Sequence, residues 1–137
     1  MQNTRAMLCI SAIVFAAAPG LRAAERMTPG NWEFQMDTAG QDARTIKRCI
    51  TAEEAAGANG DATAGRAWAE KKAAGNCSVK QFDVDGNTVS FKLACGETTI
   101  ASKTTYNGDS SDGVLTTNHE GKESVTHVKA HRIGACP

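Results

Sequence analysis

Cys77-Ser78-Val79-Lys80-Gln81-Phe82-Asp83-Val84-Asp85-Gly86-Asn87-Thr88-Val89-Ser90-Phe91-Lys92-Leu93-Ala94-Cys95 decides the fold class of this chain. Apolar and polar residues alternate on both sides of Asp85-Gly86-Asn87, the period-two pattern of half-buried strands joined by a turn. Val89, Phe91, Leu93 and Cys95 share one face. In the partner run Phe82 and Val84 share a face, while Cys77 and Val79 are out of phase with them. One extra residue at Lys80-Gln81, a β-bulge, restores the phase. With Gly86-Asn87 as a two-residue turn, Phe82 then faces Phe91, Val79 faces Leu93 and Cys77 faces Cys95. This hairpin argues for a Cys77–Cys95 disulfide, which leaves Cys49 for Cys136. The competing arrangement, Cys49–Cys77 closing the segment between them and Cys95–Cys136, stays open, because opposed cysteines bridge only where their spacing and side-chain directions allow.

The cysteine count depends on how the chain begins. Residues 1–6 carry Arg5, residues 7–18 carry no charge, and Pro19-Gly20-Leu21-Arg22-Ala23-Ala24 supplies a helix breaker and small residues. That is the pattern of a cleavable secretory signal, with cleavage expected after Ala23 or Ala24; residues 1–23 are taken as the signal and 24–137 as one domain. The apolar run is shorter than the roughly 20 residues a membrane-spanning helix needs, so no stable membrane anchor is expected. Of five cysteines, Cys9 lies inside the signal and four remain. An even count in an exported chain reads as two disulfides. A four-cysteine zinc site does not fit, since no two of the four form the close pairs that structural zinc uses.

Without the signal the chain has 13 Lys and Arg against 15 Asp and Glu, a net charge near −2. The charges are interspersed, and no basic field is present for nucleic acid or anionic lipid. Around the central hairpin the same signals recur. Met27-Thr28-Pro29-Gly30 reads as an opening turn. Trp32, Phe34 and Met36 alternate with polar residues in a first strand, and residues 43–50 form a second. Thr51-Ala52-Glu53-Glu54 is a capping box; it predicts a short helix through Ala56 that ends near Gly57. After the turn Asn59-Gly60-Asp61, the Ala-rich stretch 62–74 reads as a second helix closed by Gly75. Gly65 weakens its first turn, and Trp68 is its only large apolar anchor, so this helix is expected on the domain surface. Strands follow at 97–106, 113–119 and 123–133, turned at Asn107-Gly108 and Glu120-Gly121. The expectation is a mainly β domain: an antiparallel meander of about seven strands with a helical insertion, about 52–74, between strands 2 and 3. A Cys49–Cys136 bridge would return the chain's end to its second strand and favour a curled sheet or open barrel.

Several segments together resemble a known family. They are Pro29-Gly30-Asn31-Trp32-Glu33, Cys49-Ile50-Thr51-Ala52-Glu53-Glu54-Ala55-Ala56, Gly86-Asn87-Thr88-Val89-Ser90-Phe91 followed by Cys95, Tyr106-Asn107-Gly108-Asp109-Ser110, and Arg132-Ile133-Gly134-Ala135-Cys136-Pro137. In order and in cysteine positions the chain is similar to the exported bacterial family catalogued as domain of unknown function (DUF) 3617. It departs at Ser111, where the family often has an aromatic, at Phe91 in place of a frequent Trp, and at His131-Arg132 in place of Arg-Arg. The resemblance implies a periplasmic location in a Gram-negative bacterium and supplies no catalytic residues.

The residues offer little chemistry of their own. His127 and His131 are four apart, but on a strand that places them about 13 Å from each other, too far to share a metal. Glu53-Glu54 and Asp83/Asp85 have cap and turn roles, and Ser110-Ser111 with Asp109 and Asp112 lies at a turn. No nucleophile elbow, phosphate-binding loop or zinc-protease motif is present. No metal, cofactor or catalytic residue is assigned, and a non-enzyme is favoured. Two readings are carried forward. The first is an envelope interaction or structural module that uses an exposed sheet face or the helical insertion around an exposed Trp68. The other is a carrier that encloses a small apolar ligand among Trp32, Phe34, Phe82, Phe91 and Leu93.

Overall fold

A computed structural model describes residues 25–137 of the chain. The expected signal segment, residues 1–23, and Cys9 lie outside the described residues. Seven strands and two helices follow in the order β1 (Gly30–Thr38), β2 (Arg44–Ile50), α1 (Ala52–Asn59), α2 (Ala62–Ala73), β3 (Ser78–Asp85), β4 (Thr88–Cys95), β5 (Thr98–Tyr106), β6 (Ser110–His119) and β7 (Lys122–Gly134). All strand pairs are antiparallel, in a single sheet ordered β2-β1-β7-β6-β5-β4-β3. Strands β3 to β7 form the expected meander. The last strand then pairs with the first, Phe34 opposite Ala130, and β2 lies outside β1. The sheet stays unclosed, with β2 and β3 as its two edges.

The central hairpin has the register that its alternation requires. Val84 lies opposite Val89, Phe82 opposite Phe91 and Val79 opposite Leu93, with a register shift between Val79 and Gln81 that leaves Lys80 as the extra residue. Cys77 is bonded to Cys95 and Cys49 to Cys136. The helical insertion therefore begins and ends beside a disulfide. Cys49 stands just before α1 and Cys77 just after α2.

Alternation carries one face through the whole sheet. Successive strands place Ile46 and Ile50, Trp32 and Phe34, Ala130 and Val128, Gly113 and Leu115, Thr104 and Ser102, Phe91 and Leu93, and Phe82 and Val79 on this one face. Helix α2 packs on β3, and α1 reaches this face through Ala55. Trp32 is fully buried in a cluster with Met27, Ile50, Ala55 and Ala130, and Phe34, Ala58 and Tyr106 pack against it. The Trp32 indole NH donates to the Thr28 carbonyl at 2.9 Å.

Three local expectations are revised. Residues 27–30 are more than an opening turn, because Met27 is buried and bridges to Gly108. The Asn59 side chain accepts from the Met27 NH at 2.8 Å and donates to its carbonyl at 2.9 Å. Arg26 donates to the carbonyls of Ala58 and Gly60 at the end of α1 and to Gly86 in the β3–β4 turn. Second, α1 does not end near Gly57. It continues to Asn59, since a Cβ on Gly57 would lie 2.6 Å from the Trp68 ring, and the glycine serves helix packing rather than termination. Third, Asp61 is the N-cap of α2, its side chain accepting from the Ala64 NH at 2.8 Å. The Thr51–Glu54 capping box forms in full.

Candidate functional site

Between the helices and the curled sheet lies a chamber of about 600 Å³. Its walls come from both edge strands, Ile46, Arg48 and Ile50 of β2 and Phe82 of β3, and from Phe34 of β1 and Val89, Phe91 and Leu93 of β4. Residues from opposite edges of one sheet can meet around one hollow only if the sheet curls. The helices line the other side of this partly open chamber with Glu54, Gly57 and Ala58 from α1 and Trp68, Ala69, Lys72 and Ala73 from α2, and Met27 and Tyr106 line it as well. A second hollow of about 170 Å³ adjoins through Met27, Phe34 and Tyr106 and is lined by Ser102, Thr104, Ser111 and Gly113. Val114, Leu115 and Val128 line it as well, so its wall is mixed, and it is large enough for water. The larger chamber is apolar.

Two glycines let the cover come this close. Gly57 lies flat under the Trp68 ring, and a Cβ on Gly65 would collide with the Phe82 ring. Arg66, one residue on, donates to the Val79 carbonyl at 3.0 Å and so ties α2 to the bulged edge strand. The cover thus rests on β3 through one small residue and one long side chain.

Of the five apolar residues expected to line a ligand site, four do: Phe34, Phe82, Phe91 and Leu93. Each is only partly buried, because its inner surface borders the chamber. Trp32 belongs to the solid cluster beside it, its ring 6.3 Å from that of Phe34. Trp68 is turned inward over Gly57 rather than displayed on the surface. Its Nε1 is buried and has no hydrogen-bond partner among the described residues. An orphaned buried donor costs about 1–3 kcal/mol, whereas an apolar group of similar shape carries no such penalty. Trp68→Phe is therefore expected to leave the melting temperature near or above that of the parent despite the smaller ring. Thermal unfolding followed by circular dichroism checks this, and a loss above about 2 kcal/mol would mean that the indole is satisfied in solution.

The charged groups that line the chamber are Arg48, Glu54 and Lys72. Glu54 is held below the usual carboxylate range first by the backbone NH of Thr51, against its partial desolvation, with Arg48 and Lys72 assisting. Its two oxygens are both engaged, Oε2 by the Thr51 NH at 3.0 Å and Oε1 by Arg48 at 3.1 Å. Lys72 lies 5.8 Å from the centre of the Trp68 ring and 3.5 Å from Glu53. Burial pushes the Tyr106 phenol above its ordinary value, while a hydrogen bond with Thr104 acts in the other direction.

The remaining candidates lie apart from the chamber. His127 and His131 are on the polar outer face of β7, His127 across from Asp37 and His131 across from Glu33, 3.9 Å from its carboxylate. Asp83 and Asp85 point outward from β3, and Ser110, Ser111 and Asp112 open β6. Among the described residues no three His, Cys, Asp or Glu side chains gather as a metal-sized cluster. No described helix is long and apolar enough to cross a membrane. Reading the sequence missed Ile46, Arg48, Lys72 and Tyr106 as wall residues; only the alternation of Ile46, Arg48 and Ile50 in β2 hinted that they share a face.

A family model described as a protein of unknown function (DUF3617) matches residues 27–136. No curated protein and no solved structure matches the chain.

Proposed function

Since the chain belongs to the DUF3617 family, whose description names no activity, we propose from its geometry that it is a non-catalytic binding protein, taking a small apolar ligand into the chamber under α1 and α2. The observation that carries this reading is the chamber itself. Its volume of about 600 Å³ falls within the roughly 300–1,000 Å³ typical of ligand sites. Phe34, Phe82, Phe91 and Leu93 point into it while remaining partly open. Apolar groups left beside a void forgo dispersion contacts and hydrophobic burial, and a ligand of matching character restores both. An interaction module was expected to use an exposed sheet face or a displayed Trp68, and the inward ring removes the second of these supports.

Two disulfides support an oxidising compartment. Together with the signal-like N-terminus they are the basis for proposing that the protein works in the periplasm, as a carrier or reservoir for a poorly water-soluble molecule.

The neutral dye Nile red is expected to bind the oxidised protein with a rise and blue shift in emission. Phe91→Asp, which sets a carboxylate against the bound dye, should weaken that binding at least about tenfold. Circular dichroism of the variant shows whether the sheet persists. If the parent protein neither brightens Nile red nor retains any small molecule in native mass spectrometry, the binding reading fails.

A further inference from the structure

The chamber has a direction. Its most exposed lining residues are Ile46, 40 % accessible, and the side chains of Arg48 and Lys72, 53 % and 47 % accessible. They mark an opening between the edge strand β2 and helix α2. Inward from it the wall is Trp68, Phe34, Phe82, Phe91 and Leu93, with no charged group beyond the mouth. Two cations, Arg48 and Lys72, and one carboxylate, Glu54, line the mouth, and the Glu53 carboxylate stands beside Lys72 from outside it. Glu54 is already committed to the Thr51 cap and to Arg48, and the helix N-terminus behind it offsets its charge further. Lys72 meets Glu53 only in a solvent-exposed pair, which is readily exchanged for another anion.

We propose that the occupant is a single-chain amphiphile with an anionic head, its chain among Phe34, Phe82, Phe91 and Leu93 and its head between Arg48 and Lys72. This rests on the binding reading above and adds the ligand's class and orientation. A head group that went in first would find no countercharge on the inner wall, only the Trp68 indole NH and the Tyr106 hydroxyl, and an uncompensated buried charge is strongly disfavoured. A cationic head would meet Arg48 and Lys72 at the opening. A volume of about 600 Å³ suits one long alkyl chain rather than the two of a phospholipid. A carboxylate or a sulfate would serve equally as the head, since guanidinium and ammonium groups recognise both through charge-assisted hydrogen bonds.

The test is displacement of Nile red from the oxidised protein by tridecanoate, dodecyl sulfate, dodecan-1-ol and dodecyltrimethylammonium, which share a twelve-carbon chain and differ in the head alone. The two anions are expected to compete about tenfold better than the alcohol, and the cation worse than the alcohol. Raising salt should shrink the advantage of the anions, as for any partly exposed pair. In Arg48→Gln/Lys72→Gln the ratio of anion to alcohol should fall to near one. Equal competition by all four heads overturns the head-group assignment and leaves the chamber reading standing. So does an anion preference that survives the double substitution, because the charge recognition would then lie elsewhere. Absence of Nile red binding in the parent removes both.

Discussion

Replacing Cys49 and Cys136 together by alanine is expected to lower the free energy of unfolding by about 4–5 kcal/mol, against about 3 kcal/mol for replacing Cys77 and Cys95. The difference follows from loop length. The first bridge joins residues 87 apart and the second joins residues 18 apart, and the entropy a cross-link removes from the unfolded chain grows with the logarithm of the loop it closes. A domain of this size has a net stability of about 5–15 kcal/mol, so the long-range bridge supplies a large part of it. There is also a folded-state side. β2 pairs only with β1, and Cys49 lies next to the end of that edge strand, where α1 begins. Losing the bridge frees both the strand end and the foot of the cover. Urea unfolding of the two double-alanine variants measures the ordering directly. If the Cys77/Cys95 variant loses more, loop closure is not what these bridges chiefly provide.

Trp32→Ala is the other large effect, with an expected loss of about 3–5 kcal/mol and a fall in melting temperature of more than about 10 °C. Trp32 is 0 % exposed, in contact with the Met27, Ile50, Ala55 and Ala130 cluster. Its removal opens a cavity where neighbours from the N-terminal segment, α1 and two strands converge, and these cannot collapse together. The Thr28 carbonyl also loses its donor. Trp32→Phe keeps most of the volume but not that bond, so its loss should be smaller, near 1–3 kcal/mol. The contrast with Trp68 is instructive, since the two tryptophans share chemistry but not circumstance. One has full packing and a satisfied NH. The other borders a void and has an unpartnered NH. A thermal melt in which Trp32→Ala and Trp68→Phe cost the same would contradict that division.

Much of the sheet was legible because period-two alternation is a local signal. The phase slip at Lys80-Gln81 located the bulge, and the Thr51-Ala52-Glu53-Glu54 box placed the start of α1. Gly57 was misread for a physical reason. A glycine that ends a helix and one that admits a ring against its backbone are the same letter, and only the position of Trp68 tells them apart. Asp61 was read as a turn residue although it caps α2, because the same side-chain chemistry serves both purposes. The pairing of β1 with β7 left no trace in periodicity. As a result the chamber was only half visible. Phe34, Phe82, Phe91 and Leu93 declared a shared face, but Arg48, Lys72 and Tyr106 meet them only through the sheet's curl and the helices laid over it.

The strand order also governs when this molecule can exist. Strands β1 and β7, the first and last of the sequence, are neighbours inside the sheet, with Asn31 across from Gly134, while the edges come from strands nearer the middle of the chain. A growing chain that emerges from its N-terminus can close the β3–β4 hairpin and the Cys77–Cys95 bridge early, from contacts close in sequence. It cannot give β1 its second neighbour, or bring Cys49 to Cys136, until residues 126–136 have arrived. Such non-local pairing slows folding. Until then β1 and β2 form a two-stranded ribbon too small to hold together alone in water. Residues 126–134 complete the first strand's environment, and assembly of the sheet waits for them.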